Sequence, residues 1–517
     1  MGSSYQVHGN ANVCEALWNA NTQEKATALL SQLTVSGRPL TLQHFTKNEF
    51  TTTEASCHIN SYEPKSGKLI AKVPCASAGE VDAAVKTARA AFPAWSKTPR
   101  AERSRYLRQI SDIMAANREL FAVWESIDQG KTLDRARVEV DRAVSNFAYF
   151  STFILHESTA ARMVDGVALT YEHRSPAGVF ALISPWNMPL YLLTWKIAPC
   201  LAFGCTAVAK PSEVTSVSAF LLADVFRRAG LPAGVINVLF GDGATTGSAL
   251  VSHPDIQGVS FTGGTATGIA IRKATVAQVY KHVSLELGGK NPTLVFADSL
   301  QANKEKTMRT AAMAAFENQG EICLCGSRIY VEKSAYDEFV ASFTEYVSKT
   351  YRVGETVGAV VSSQHYAKIR SHLEVAKEQG MTFKTGRVPP EIRAGEERGY
   401  WIEPTILTDV PTDSELLRDE IFGPVVTVVP FEDEDEAVRL ANASEYGLAA
   451  VLLTTDGARM RRVGEQLQAG LVWVNCWLVR ELGTPFGGMK NSGTGREGGE
   501  YSRDVFTVAR TVHLATA

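Results

Sequence analysis

Cys323 sits in FENQGEICLCGSR, residues 316–328, a small and polar stretch that opens within the alanine-rich helical run TAAMAAFEN. A cysteine is nucleophilic as its thiolate, which needs an electropositive and partly open environment. A lone cysteine is otherwise a small buried apolar group, and Cys325 competes with Cys323 for any chemical role. Glu286 precedes Gly288-Gly289, whose missing side chains let chains approach closely. A carboxylate held there could take a proton from water; the plain alternative is a surface glutamate at a strand end. Asn187, in SPWNMP, offers an amide to a developing oxyanion or an Asx turn before Pro189. A nucleophile, a base for water and an oxyanion donor are the parts that acyl chemistry on a covalent adduct requires.

A second group of residues could hold a nucleotide. Phe261-Thr262-Gly263-Gly264-Thr265-Ala266-Thr267-Gly268 follows a strand-like run and opens a helical one. Glycines there let backbone N–H groups approach a pyrophosphate at a helix N-terminus. The spacing is not G-x-G-x-x-G, and Gly241 and Gly243 stand upstream. Lys210 and Glu213, in KPSE, could grip ribose hydroxyls; a carboxylate accepts a 2′-OH and repels a 2′-phosphate.

These residues need elements that bring them to one place. Strand-like apolar runs alternate with helical patterns, as in an α/β protein. Strands are expected over Val179–Ile183 and residues 206–209, 235–239, 258–261, 293–296 and 329–331. Helices are expected over residues 192–201 and 216–229, the second stopping at Gly230-Leu231-Pro232. Residues 162–173 read as one arm of a hairpin interrupting the first αβ block, and residues 386–399 as a surface loop. Residues 26–33 could form a short helix.

At 517 residues the chain could hold two to four domains. Its net charge of −3 and lack of a long basic run give no sign of a nucleic-acid partner. No apolar run reaches the length of a membrane span, and residues 1–12 are too polar for a secretory signal. Eight scattered cysteines show neither zinc nor disulfide spacing, which favours a reducing compartment, the cytoplasm.

Taken in order, SPWNMP, KPSE, LELGGKNP and FENQGEICLCGSR resemble the aldehyde dehydrogenase superfamily, from about residue 45 to about residue 511. The resemblance implies an α/β fold: a Rossmann-like cofactor domain, an α/β catalytic domain and a small β oligomerisation element. It places an N-terminal extension at 1–44, the NAD-binding domain at 45–153 and 177–288, the catalytic domain at 289–488, and the oligomerisation element at 154–176 and 489–517. It implies NAD as cofactor, no metal, a homodimer or homotetramer, and a small aldehyde as substrate.

Site residues follow from the same resemblance. Cys323 stands where the family carries its catalytic cysteine, after an Asn-x-Gly turn kept as Asn318 and Gly320 and before Arg328. Glu286 would be the general base that releases a free acid, and Asn187 the oxyanion donor beside the Cys323 N–H. NAD would be held by Ile183, Ser184, Pro185 and Trp186, by Lys210, Glu213 and Gly243, and by Phe261, Thr262, Gly263 and Gly264. Leu287 would also contact it, and Glu420 and Phe422 would meet its nicotinamide end.

NCWLVREL, residues 475–482, together with EICLC, looks most like the 2-aminomuconic and 2-hydroxymuconic semialdehyde dehydrogenase branch. That branch implies two arginines toward a substrate carboxylate, here Arg480 and Arg142, with Trp195 beside them. Periodicity gives Arg142 another reading. Ala136, Val140, Val144 and Phe147 form the apolar face of its helix, and Arg142 points away, where it could pair with Glu139. Gly483 and Ala148 are small for a tunnel wall, which suits a wider substrate. The alternatives are a broad-specificity enzyme for aliphatic or aromatic aldehydes, a non-catalytic scaffold, and a thiol hydrolase.

Overall fold

The computed structural model describes residues 11–51, 57–392 and 396–516. Residues 1–10 of the extension and 393–395 of the expected loop lie outside the described residues.

The first large sheet has a parallel centre of five strands. In spatial order they are His282–Glu286, Gly258–Thr262, Val179–Ile183, Thr206–Lys210 and Ile236–Val238. Four of these are buried at every position, which explains their continuous apolar runs. Each expected strand is present here, shifted by at most one residue at an end. Chain order runs outward from Val179–Ile183 to one side, then jumps to Gly258–Thr262 on the other. The carboxyl ends therefore flank a topological switch point, the place where open α/β sheets bind ligands. Register sets Ile183 against Lys210, and Thr262 against Glu286.

The sheet continues at both edges with distant pieces of chain. Gly493–Thr494 pairs antiparallel with Leu285 and Glu286. His44–Thr46 and Glu49–Thr51 close the other side, so the sheet reaches across the boundary expected at residues 44 and 45. Helix Pro189–Ala202 packs beneath with all of its residues buried, and Pro189 at its first position suits a helix start. The second large sheet runs Thr382–Thr385, Thr405–Thr408, Val425–Phe431, Arg328–Glu332, Pro292–Val295, Ala449–Leu453 and Leu471–Val474. Cys323 lies in the turn leading into its strand Arg328–Glu332.

Residues 162–173 differ from the expectation. They span both arms of a hairpin, Ala161–Val164 and Ala168–Pro176, because Gly166 takes a left-handed φ of 68° between them. Thr507–Ala515 adds a third strand along the whole second arm. This small sheet exposes Met163, Val164, Val508 and Leu514.

The N-terminal extension is docked. Helices Ala11–Asn19 and Gln23–Ser36 bury Leu17, Ala26, Leu29 and Leu33 in the cofactor-domain core. Trp124 donates its indole N–H to the Leu17 carbonyl at 3.3 Å, and the Arg228 guanidinium lies 3.9 Å from the Trp18 ring centre. No helix of the described residues is long and apolar enough to cross a membrane.

Candidate active site

Two adjoining clefts open at the switch point. The larger, about 300 Å³, is lined by Ile183, Ser184, Pro185 and Trp186 from one strand end. Lys210, Glu213 and Gly243 line it from the next two connections, and Phe261, Thr262, Gly263 and Gly264 from the fourth. The smaller, about 170 Å³, shares Pro185, Trp186, Thr262, Gly263 and Gly264 and adds Leu287, Glu420, Phe422, Asn187 and Cys323. Every expected cofactor residue thus falls along one continuous channel that ends at the cysteine.

The channel fits a dinucleotide. Gly264 caps the helix Thr265–Thr275, and a side chain there or at Gly243 would project into open space. Backbone N–H groups at that helix end are therefore reachable by a phosphate. Gly268 has a different task, since a Cβ there would lie 2.5 Å from the Leu287 side chain that packs against this helix. Lys210 Nζ donates to the Gly241 carbonyl at 2.7 Å and to Glu213 at 3.2 Å, which holds the Glu213 carboxylate at the cleft wall. Glu420 accepts the Gly289 N–H at 2.8 Å, and Gly288 has no side chain because Glu420 occupies that space. Phe422 adopts a left-handed φ of 60° and meets Trp186 edge-on at 5.2 Å. His365 accounts for that conformation in part, binding the Phe422 carbonyl at 2.6 Å.

Cys323 is half-buried at the end of the channel. Burial pushes its thiol well above its ordinary value, with Glu420 and Glu286 adding to the rise and Arg480 opposing it. Asn291 fixes the surrounding turn by donating to the Cys323 carbonyl at 2.7 Å and the Cys325 carbonyl at 2.8 Å. Cys325 points elsewhere: it is buried, with its sulfur 3.9 Å from the Glu317 carbonyl, and it lines neither cleft.

Asn187 stands across from the cysteine turn. Its amide donates to the Glu321 carbonyl at 2.9 Å, and its own carbonyl accepts from Lys131 at 3.1 Å and Asn318 at 3.2 Å. Lys131 is itself buried between Glu139 and Glu125. Glu139 is therefore taken by Lys131, and the local pair expected between Glu139 and Arg142 does not form.

Glu286 is buried, and neither of its carboxylate oxygens makes a hydrogen bond. Burial raises its pKa well above the usual carboxylate range, Glu497 adds to the rise, and Lys196, Arg480 and Arg496 oppose it. Lys196 donates to Glu497 at 3.2 Å and to Ser260 at 3.0 Å. This cluster was not singled out in the sequence. Its signal was a single lysine inside the apolar helix Pro189–Ala202, since a buried lysine needs a partner.

Arg480 and Arg142 come together. The Arg480 guanidinium is sandwiched, 4.2 Å from the Trp195 ring centre and 4.0 Å from that of Phe486. Its Nε and Nη2 are buried with no acceptor. Arg142 is half-buried, 5.7 Å from the Tyr191 ring centre, and donates to the Leu478 carbonyl at 3.3 Å. Burial lowers the Arg142 pKa, and the nearby Arg135 and Arg480 charges lower it further. Arg135 was likewise missed in the sequence; it pairs with Glu317 at 3.3 Å.

The profile of the Aldehyde dehydrogenase family matches residues 50–512. The 2-aminomuconic semialdehyde dehydrogenase of Homo sapiens is 45% identical over 92% of this chain and 98% of its own length. The 2-hydroxymuconic semialdehyde dehydrogenase of Pseudomonas sp. strain CF600 is 40% identical over 91% of this chain and 99% of its own. A solved indole-3-acetaldehyde dehydrogenase in complex with NAD⁺ superposes with a TM-score of 0.90 at 32% identity, covering 96% of this chain and 99% of the other.

Proposed function

This chain belongs to the aldehyde dehydrogenase family and is an NAD-dependent oxidoreductase, and we propose that its substrate is an unsaturated semialdehyde carrying a carboxylate, such as 2-aminomuconic or 2-hydroxymuconic semialdehyde. One observation carries the substrate reading: half-buried Arg480 holds two buried donor atoms, Nε and Nη2, unpartnered beside a second arginine. Buried guanidinium donors without an acceptor are costly, and a planar bidentate carboxylate is the ligand that suits them. The names of the two relatives above agree with that chemistry.

In the proposed reaction Cys323 attacks the aldehyde carbon and forms a thiohemiacetal. Asn187 and the Cys323 N–H hold the oxyanion. NAD, when bound, supplies the hydride acceptor that turns the adduct into a thioester. Glu286 then takes a proton from water, which attacks the thioester and frees the acid and the thiol. Lys210 and Glu213 would hold the adenosine ribose, and Glu420 and Phe422 would hold the nicotinamide end. Trp195 and Phe486 position Arg480 for the carboxylate.

The same reading assigns residues 154–176 and 489–517 to contacts between copies of the chain, as a homodimer or homotetramer, on the apolar side chains of the three-stranded sheet. It assigns the enzyme to the cytoplasm, where a catalytic thiol stays reduced. The deciding experiment offers the enzyme matched aldehydes with and without a terminal carboxylate and follows NADH absorbance. A kcat/KM that ignores the carboxylate would return the protein to the broad-specificity class.

A further inference from the structure

Cys57 and Cys75 face each other across an antiparallel pair of strands. His58 is registered against Pro74, so the residues one step beyond lie opposite, and the Cys75 N–H donates to the Cys57 carbonyl at 3.1 Å. The two side chains lie near enough to act on one another. Residues opposite in this way have Cα atoms roughly 5.5 Å apart, within the span a disulfide bridges. Cys57 is exposed and Cys75 buried. One thiol is open to a reagent and the other waits behind it. Cys200 and Cys205 also lie near one another, but both are sealed in the core.

The pair is tied to the cofactor channel. Asp242 lies near enough to Cys75 for its charge to act on the thiol. Asp242 in turn caps Gly243–Gly247, its carboxylate accepting the Thr245 N–H. Gly243 and Gly247 line the larger cleft. One residue after Cys75, the Ala76 N–H donates to the Phe240 carbonyl at 3.0 Å and the Ala76 carbonyl accepts from Thr246 at 2.8 Å.

We propose that Cys57 and Cys75 are a reversible disulfide site, oxidised by low-molecular-weight disulfides, and that closing it loosens the nucleotide end of the cofactor channel. The Cys57 thiolate attacks one sulfur of the reagent disulfide and expels the first small thiol. The Cys75 thiol then attacks Cys57 Sγ in the mixed disulfide and expels the second. Two protein thiols become one S–S bond, one reagent disulfide becomes two thiols, and the two protons leave on them. Cys57 enters first because it is exposed, while burial pushes the Cys75 thiol up to about 11, so closure is faster at alkaline pH. Once bonded, Cys75 is drawn toward Cys57, which pulls on the adjoining Ala76 and its hydrogen bonds to Phe240 and Thr246.

The test uses full-length Cys323→Ala protein, so that oxidation of the nucleophile does not enter the readout. The protein is equilibrated with oxidised or reduced glutathione, mapped by non-reducing peptide mass spectrometry, and titrated with NADH by fluorescence. The expected result is a Cys57–Cys75 cross-linked peptide and an NADH affinity weaker by roughly threefold to tenfold, the worth of one ordinary hydrogen bond. Both should revert on reduction. Adding Cys57→Ser, which changes only the exposed partner, should abolish both responses. Separate peptides at saturating oxidant, or a cross-link with unchanged NADH affinity, overturns the proposal.

Discussion

The side-chain amide of Asn187 is anchored to the carbonyl of Glu321, two residues before Cys323, at 2.9 Å. One amide hydrogen locks the two loops together, and the side chain lines the smaller cleft beside Cys323, where the proposed reaction needs an oxyanion donor. Asn187→Ala removes both and should lower kcat by roughly 10²–10³-fold. NADH binding should stay near the parent value, because the Lys210 and Glu213 end of the channel lies on another strand end. Single-turnover kinetics with an NADH fluorescence titration separate the two effects.

Cys323→Ala should abolish NADH production, whereas Cys325→Ala should keep most of it, since Cys325 lines neither cleft. The cost of the second change is a small cavity, felt in Tm rather than in turnover. Turnover lost with Cys325 and kept without Cys323 would reverse the assignment.

Glu286 carries a raised pKa, so its carboxyl gives up its proton at higher pH than an ordinary glutamate and acts as a base only once it has done so. Turnover limited by thioester hydrolysis should therefore climb with pH. Glu497→Gln removes a charge that pushes the pKa up and leaves Lys196, which pulls it down. The climb should then move to lower pH. Glu286→Gln should flatten it and leave an acyl adduct on Cys323 visible by mass spectrometry.

Arg480→Ala should cost about ten- to a hundredfold in kcat/KM on carboxylate-bearing semialdehydes, the worth of a charge-assisted hydrogen bond. Neutral aldehydes of similar length should lose little. Arg142→Ala should follow the same pattern more weakly, because its guanidinium already has the Leu478 carbonyl. Equal losses on both substrate sets would make the arginines structural.

Glu213 lines the larger cleft, held by Lys210. The parent enzyme should prefer NAD over NADP, and Glu213→Gln should narrow the preference by removing a like charge from the 2′-phosphate. A kcat/KM ratio that favours NADP before the substitution would count against this.

Much of the site could be read along the chain, for a physical reason. Strands such as Val179–Ile183 are buried on both faces and show as unbroken apolar runs. The loops that follow them carry their glycines and polar residues in short local motifs. What stayed hidden is what folding assembles from afar. Lys196 meets Glu497 across 301 positions of sequence, and nothing near either residue announces the other. Helical spacing turned Arg142 away from the apolar face, yet the loop around Leu478 supplies a second wall that spacing cannot foresee. The hairpin within residues 161–176 was read as one arm because its turn hinges on Gly166 alone.

Gly493–Thr494 is the outermost strand of the cofactor sheet, laid against Leu285 and Glu286 from late in the chain. A ribosome must therefore translate nearly the whole message before the base has its neighbour. Until then the strand His282–Glu286 is a bare edge, able to pair with another nascent chain. Such long-range closure is slow. A polypeptide that stops short of residue 493 should be a catalytically silent, aggregation-prone by-product, and a chaperone that shields this edge during synthesis should raise the yield of active enzyme.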